Sequence, residues 1–220
     1  VGVVISPQGL EQRFNKAAAC YMKRILEHTV EQVVAGNPAA IPILQRFQGV
    51  YLRDSSVISL PAALVETWPG VGGSSGPTAA LKLQVMLNFS TGELHGPVVH
   101  SGRTHDQKSP YQEQKLPAGA LHLADLGYFS LDKLAEDQRN GVYWITRLKT
   151  GTVLYTPEGE RIDLLAWLRA YPEPELDQQV LVGARARIPA RLVAQRVPQE
   201  VAEQRRRRLR EYGRKKQLMP

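Results

Sequence analysis

A predicted hairpin of two strands near the middle of the chain is the feature that most constrains the fold. Residues 80–89 and 94–99 are the two predicted strands, and Ser90-Thr91-Gly92-Glu93 supplies the turn that joins them. Such a hairpin requires an antiparallel sheet with at least one face turned towards a core. The remainder of the chain must therefore supply further strands and a layer that covers them.

The segments on either side of the hairpin predict an α/β fold, a mixed sheet with helices packed against it. Apolar side chains recur at three- and four-residue steps over residues 10–34, which indicates an amphipathic helix that ends at Gly36-Asn37-Pro38. Further helices are expected over residues 106–114 and, capped by Ser130, up to residue 139. The predicted strands that complete this sheet cover residues 50–60, 120–124 and 142–147.

A smaller, mostly β region and a basic helix follow this sheet. The predicted elements are strands over residues 152–155, 179–183 and 188–197, a short helix over 162–170, and a last helix whose first residue is Pro198. Residues 70–77 are predicted to form a flexible glycine-rich loop. We divide the chain into four segments, residues 1–47, 48–150, 151–197 and 198–220.

Positive charge is concentrated at one end of the chain. The formal net charge is +7, with 28 Lys and Arg against 21 Asp and Glu, and all of the excess lies beyond residue 184. A concentrated basic run favours a polyanion such as DNA, because each neutralised phosphate releases a counterion. The alternative is a solvated helix face. The candidate phosphate-binding side chains are Arg205, Arg206, Arg207, Arg208, Arg210, Arg214, Lys215 and Lys216.

Two aspartates occupy unusual places in the predicted strands. Asp54 shares a strand face with the apolar Val50 and Leu52, and Asp125 directly follows the strand over residues 120–124. A carboxylate buried in a sheet must be paired, hydrogen-bonded or bound to a metal ion, and Mg²⁺ prefers carboxylate oxygens. The alternatives are local, since Asp54 could cap a bulge and Asp125 could cap the turn before Gly127.

Several short stretches, taken in order, resemble the insertion-sequence-4 family of DDE transposases, which has an RNase H-like catalytic core. Tyr51-Leu52-Arg53-Asp54-Ser55-Ser56 and Leu123-Ala124-Asp125-Leu126-Gly127-Tyr128-Phe129 are similar to the first and second acid motifs of that family. The likeness extends over nearly the whole chain. The other matching stretches are Gln12-Arg13-Phe14, Ala80-Leu81-Lys82, Thr91-Gly92, Gly102-Arg103, Asp106-Gln107 and the arginines from Arg205 to Arg208.

This resemblance implies a DNA transposase that cleaves and transfers strands at transposon ends with Mg²⁺ or Mn²⁺. Asp54 would then bridge two metal ions and Asp125 would hold one of them, as in two-metal phosphoryl transfer. Residues 48–150 would form the part of the RNase H-like catalytic core that carries the first two acids, and residues 151–197 would form an inserted β-rich region. The implied partners are double-stranded DNA and a second copy of the chain in a synaptic complex, in the bacterial cytoplasm at the nucleoid. The single Cys20 and the absence of a long apolar run agree with that compartment and with a protein that spans no membrane.

The chain departs from this family at the third acid. The family pattern Tyr-x2-Arg-x3-Glu-x6-Lys has no counterpart here, because Tyr212 is followed at the matching step by Lys215 and no Glu stands at the required distance. We therefore expect a transposase cut at both ends, without its third-acid helix and inactive in this form. A DNA-binding remnant or regulator without catalysis is the alternative function.

Overall fold

Five strands form the larger sheet of the protein, in the order β3-β2-β1-β4-β5. The computed structural model describes residues 5–36, 41–72 and 78–217. β1 pairs antiparallel with β2, which pairs antiparallel with β3, whereas β1, β4 and β5 run parallel. The strands are β1 (Val50–Leu60), β2 (Ala79–Asn88), β3 (Glu93–Ser101), β4 (Leu121–Ala124) and β5 (Tyr143–Thr146).

Helices and 3₁₀ turns connect and cover this sheet. Ser130 caps α4 by accepting a hydrogen bond from the amide of Lys133, as its position before the helix predicted. The helices of this part are α1 (Pro7–Glu11), α2 (Lys16–Gly36), α3 (Pro110–Glu113) and α4 (Leu131–Arg139). The 3₁₀ turns cover Pro42–Arg46, Ala62–Leu64, Asp106–Lys108 and Leu126–Tyr128.

A second sheet of four strands follows, in the order β7-β6-β8-β9 with antiparallel pairing throughout. Its strands are β6 (Leu154–Tyr155), β7 (Arg161–Ile162), β8 (Glu175–Val182) and β9 (Ile188–Gln195). Asp163 caps the short helix α5 (Leu164–Ala170) between β7 and β8. The basic helix α6 (Gln199–Gln217) comes last.

The predicted fold class, a mixed sheet flanked by helices with an added β-rich region and a basic helix, is confirmed. Two local predictions were wrong, and one strand was missed. The helix expected over residues 10–34 is divided, because the chain leaves helical geometry between α1 and α2. The helix expected over 106–114 is a 3₁₀ turn and a short α-helix, since Pro110 has no amide hydrogen to continue the first turn. The strand β7 has only two residues and was not predicted.

Two predicted features reach beyond what the structure describes. In the glycine-rich loop predicted over residues 70–77, positions 73–77 lie outside the described residues. Of the predicted helix end at Gly36-Asn37-Pro38, the structure places the last helical residue at Gly36 and does not describe residues 37–40.

Two apolar clusters stabilise the structure. One lies under the larger sheet and includes Met86, Tyr111 and Val142. The other contains Leu134 of α4 together with buried side chains of the second sheet, so this sheet packs against the helix that follows β4. The buried residues of this second cluster, among those that the structure describes, are Phe129, Leu134, Leu154, Val180, Val182 and Ile188.

Among the described residues, no helix combines the length and the apolar character needed to cross a lipid bilayer.

Candidate functional site

The two aspartates predicted from the sequence lie where the parallel pairing of β1 and β4 ends. The last pair of this ladder is Arg53 and Ala124; Asp54 is the next residue within β1, and Asp125 directly follows β4. Both side chains are exposed. The sequence-based argument expected Asp54 to be buried in its sheet. That expectation was wrong, because β4 ends at Ala124 and leaves β1 uncovered on that side from residue 54 onwards.

Each aspartate engages one carboxylate oxygen in a local hydrogen bond. Oδ1 of Asp54 accepts the amide hydrogen of Ser55 at 2.8 Å, and Oδ1 of Asp125 accepts that of Gly127 at 2.9 Å. The capping role foreseen as an alternative for Asp125 is thus present, since Asp125 begins the 3₁₀ turn. It does not exclude a ligand, because Oδ2 of both carboxylates makes no hydrogen bond within the described residues.

A third carboxylate, Asp106, joins these two and was not among the predicted site residues. It stands on the 3₁₀ turn after β3, and its Oδ1 accepts hydrogen bonds from Ser55 Oγ at 2.8 Å and from Lys82 Nζ at 2.9 Å. Partial burial pushes the pKa of Asp106 upwards, but the hydrogen bonds from Lys82 and Ser55 and the charge of Lys82 outweigh it, so the pKa lies below its ordinary value. Asp106 therefore carries its negative charge at neutral pH.

Gly127 lies between Asp106 and Asp125. A Cβ atom at this position would collide with Oδ2 of Asp106 and would come within 3.2 Å of Oδ1 of Asp125. Only a residue without a side chain allows both carboxylates to lie against this stretch of backbone. The sequence contained this signal, because Gly127 stands two residues after a strand-ending aspartate.

The electrostatic effect of the three carboxylates is visible at Tyr128. Its hydroxyl is buried beside Ser55 and makes no hydrogen bond of normal geometry within the described residues. Burial above all, followed by the charge of Asp106 and smaller effects of Asp54 and Asp125, raises the pKa of Tyr128 to about 12. All three negative charges thus act on the pKa of this one hydroxyl, and the charge of Asp106 has the largest effect of the three.

Buried polar side chains connect the backbone segments that carry these aspartates. The guanidinium of Arg53 donates to Gln112 Oε1 at 2.9 Å, and the amide nitrogen of Gln112 donates to the carbonyl of Tyr128 at 2.9 Å. Gln107 donates to the carbonyl of Phe129 at 2.7 Å. The segment just before Asp54 and the turn just after Asp125 are therefore held by common partners.

His122 pairs with an acidic side chain in the interior of the protein. It is buried on β4, and its Nδ1 lies 2.8 Å from Oδ2 of the buried Asp137. Lys133 approaches the other oxygen of Asp137 at 3.2 Å. Burial, together with the charges of Arg53 and Lys133, lowers the pKa of His122 in spite of Asp137.

The donors at this end of the sheet fit a divalent cation. Exposed carboxylate oxygens without hydrogen-bond partners on Asp54 and Asp125 are the ligands that Mg²⁺ and Mn²⁺ prefer. In the part of the chain that the structure describes, no group of three or more His, Cys, Asp or Glu side chains is arranged to hold a metal ion. The arrangement therefore fits a site with two carboxylate ligands, completed by water and phosphate oxygens.

The predicted basic run lies on α6. Arg205, Arg206, Arg207, Arg208 and Arg210 are exposed, and Arg207 donates to Glu211 Oε1 at 3.0 Å, one helical turn away. The side chains of Arg214, Lys215 and Lys216 lie outside those that the structure describes, although their backbone belongs to α6. The exposed guanidiniums are accessible to a polyanion.

Comparison with known proteins matches the chain to transposases. The family model of the transposase DDE domain matches residues 45–218. The transposase for insertion sequence element IS231E of Bacillus thuringiensis subsp. finitimus is 32% identical over 157 residues, which are 70% of this chain and 32% of that protein. The IS231F transposase of Bacillus thuringiensis subsp. israelensis is 30% identical over 70% of the chain, and the IS1151 transposase of Clostridium perfringens is 30% identical over 67% of it. The chain spans about a third of the length of these relatives, since 32% of each is covered.

Proposed function

Since the chain belongs to the transposase DDE domain family, we propose that it forms the catalytic region of a DNA transposase that cleaves and transfers strands at transposon ends. The observation that carries this proposal is that Asp54 and Asp125 directly follow the last pair of the parallel ladder between β1 and β4. Within the described residues, each has one carboxylate oxygen without a hydrogen bond. The relatives are themselves named as transposases of insertion sequence elements.

In this proposal Asp54 and Asp125 hold divalent cations, Mg²⁺ or Mn²⁺. Such ions supply charge neutralisation at the phosphorus and at the leaving oxygen, and they activate the attacking water or 3′-hydroxyl. The chain's own contribution is to fix the two carboxylates. The hydrogen bonds from the amides of Ser55 and Gly127 orient them, and the contacts of Arg53, Gln112 and Tyr128 hold the segments that carry them.

The arginines of α6 contact the phosphates of double-stranded DNA in the same proposal. Their exposure leaves the guanidiniums available, and their planar shape suits phosphate oxygens. Such contacts give affinity without reading base sequence. The inferred division at residues 47, 150 and 197 separates this helix from the core and the inserted sheet. Pairing of two copies and location at the bacterial nucleoid follow from the same hypothesis.

Titration of Mn²⁺ into the chain, followed by calorimetry, tests the proposed metal site. We expect binding by the wild type and loss of most of it in both Asp54→Asn and Asp125→Asn. The matched control is Asp177→Asn, which removes an exposed carboxylate on β8 of the second sheet and is expected to bind like the wild type. Identical titrations for all four proteins would contradict the proposed site.

A DNA-binding protein without catalysis is the second candidate function. The exposed arginines of α6 favour it, because their contacts with DNA phosphates would not depend on a metal site. Incubation with plasmid DNA and Mg²⁺ separates the two functions. Nicking that Asp54→Asn and Asp125→Asn both abolish supports the enzyme. DNA binding without nicking supports the second function.

A further inference from the structure

We propose that Asp106 is a positioning residue for the metal site, a role that rests on the proposed function of Asp54 and Asp125. It would act without binding the cation directly. Its free carboxylate oxygen would accept a hydrogen bond from water carried by a cation at Asp125, and its charge would raise the affinity of the site for that cation.

The two oxygens of Asp106 have different surroundings. Oδ1 is held from two sides, by Ser55 of β1 and by Lys82 of β2. Oδ2 makes no hydrogen bond of normal geometry within the described residues and lies against the Cα of Gly127, where Oδ1 of Asp125 also lies. The side chain of Gln84 also interacts with this carboxylate and helps to lower its pKa. The carboxylate is thus fixed by one oxygen while the other is presented towards Asp125.

The side chains around Asp106 are charged or polar, although two of them are buried. Lys82 is buried on β2, next to β1, with a side chain that is 10% exposed, and its ammonium group forms an ion pair with Asp106. Gln84 faces Ser55 across the same two strands and is fully buried, yet neither polar atom of its side chain has a hydrogen-bond partner of normal geometry within the described residues. Buried polar groups of this kind are costly unless they serve a polar centre.

A direct metal contact by Asp106 is less compatible with the geometry. Lys82 neutralises its bound oxygen, and no three carboxylates among the described residues are arranged around one metal position. Carboxylates that orient a ligand or its water typically change metal affinity by about 10- to 100-fold when they are removed. This range gives the expected size of the effect.

The experiment measures Mn²⁺ affinity of the whole chain by electron paramagnetic resonance of the free ion. We expect Asp106→Asn to weaken binding by about 10-fold or more, and Ser55→Ala, which leaves the Lys82 contact in place, to weaken it less. Asp177→Asn is the matched charge control and is expected to bind like the wild type. The free energy of unfolding of each variant, from urea titrations, shows whether the fold is retained.

A second readout separates positioning from direct ligation. Tb³⁺ also binds carboxylates, and its luminescence lifetimes in H₂O and D₂O report how many waters it carries. We expect the same number of waters on Tb³⁺ in Asp106→Asn as in the wild type. A gain of water in this variant would make Asp106 a ligand and overturn the proposal, as would unchanged Mn²⁺ affinity. If Asp54→Asn also bound Mn²⁺ like the wild type, the metal site itself would be refuted. If Asp54→Asn loses Mn²⁺ binding and Asp106→Asn does not, the proposal for Asp106 is refuted while the metal site at Asp54 and Asp125 is retained.

Discussion

At the scale of single residues, a missing side chain matters as much to this site as the carboxylates do. Gly127 leaves the space in which Asp106 and Asp125 lie near each other. Its backbone does not need the left-handed conformation, so the requirement for glycine there comes from the space alone. Substitution at this position therefore tests the spacing of the carboxylates with little effect on the chain path.

We expect Gly127→Ala to weaken Mn²⁺ binding by about 10-fold or more, because the new methyl group displaces Asp106 and Asp125 from their present positions. Calorimetric titration measures the effect. Gly213→Ala, at a helical position with open space around it, is the control and is expected to bind like the wild type. Equal affinities of the two variants would show that the close approach at Gly127 has no influence on the site.

Another residue-scale prediction concerns the stability of the fold against acid. The pKa of His122 in the folded state lies below its unfolded value of 6.5. As the pH falls below 6.5, this imidazole therefore takes up a proton more readily in the unfolded chain than in the folded chain. The free energy of unfolding must then fall as the pH drops below 6.5, by at most about 1.4 kcal/mol per pH unit from this group. Above that pH the contribution is constant.

Urea unfolding at pH 7.5 and pH 5.5 measures this dependence. His122→Asn keeps a donor for Asp137 and has no titratable ring, so we expect a shallower loss of stability between the two pH values. If the free energy of unfolding of His122→Asn fell with pH as steeply as that of the wild type, His122 would not be the source of the pH dependence.

At the scale of elements, the sequence predicted best where the pattern is local and repeated. The alternation of side chains gave β1, β2 and β3 with little error, and Ser130 marked the start of α4. The two-residue strand β7 has too few positions to show any period. The break between α1 and α2 was missed, because the apolar side chains continue at helical spacing through it.

The site was predicted in part, for a related reason. Asp54 and Asp125 stand out in the sequence because Asp54 shares a strand face with apolar side chains and Asp125 directly follows an apolar strand. Asp106 lies in a stretch that resembles the family, but it belongs to no strand pattern, and its partners Lys82 and Ser55 lie 24 and 51 residues away along the chain. Its position depends on the path of the chain after β3, which no local pattern encodes.

For α6, we predict how the affinity for DNA depends on the salt concentration. Replacement of four exposed arginines by Gln should flatten the dependence of DNA affinity on salt concentration, with each lost phosphate contact lowering the logarithmic slope by roughly 0.9. Fluorescence anisotropy with duplex DNA at several salt concentrations measures the slope. The replaced residues are Arg205, Arg206, Arg208 and Arg210.

The control for α6 removes four exposed cations of the first two helices and their connection, which is expected to leave the slope nearly unchanged. These are Arg13, Lys16, Lys23 and Arg24. An equal flattening in both variants would mean that the positive charge acts through the whole molecule and not through α6.

At the scale of the whole molecule, the second sheet supports the turn that carries Asp125. Phe129 and Leu134, just beyond that turn, pack in one cluster with Leu154, Val180 and Ile188 of the second sheet. In addition, Gly183 at the end of β8 lies close to Leu131 of α4. The second sheet and the segment after β4 therefore share a core.

Truncation of this shared core should be costly. Leu154 is 1% exposed, and we expect Leu154→Ala to lower the free energy of unfolding by about 2–5 kcal/mol, since it leaves a cavity. Urea unfolding gives the value. Leu165→Ala, at a position that is 67% exposed, is the control and should change stability by less than about 0.5 kcal/mol. Similar costs for both variants would contradict the shared core.

The order of the strands has a consequence for when a cation can act during folding. The connection between β1 and β2 covers residues 61–78, whereas residues 61–120, with the whole β2–β3 hairpin, lie between β1 and β4. Closing the longer loop costs more entropy, which disfavours early contact between β1 and β4. We therefore expect Asp54 and Asp125 to come together late in folding. A cation that binds them would slow the escape from the native state and leave the speed of its formation unchanged.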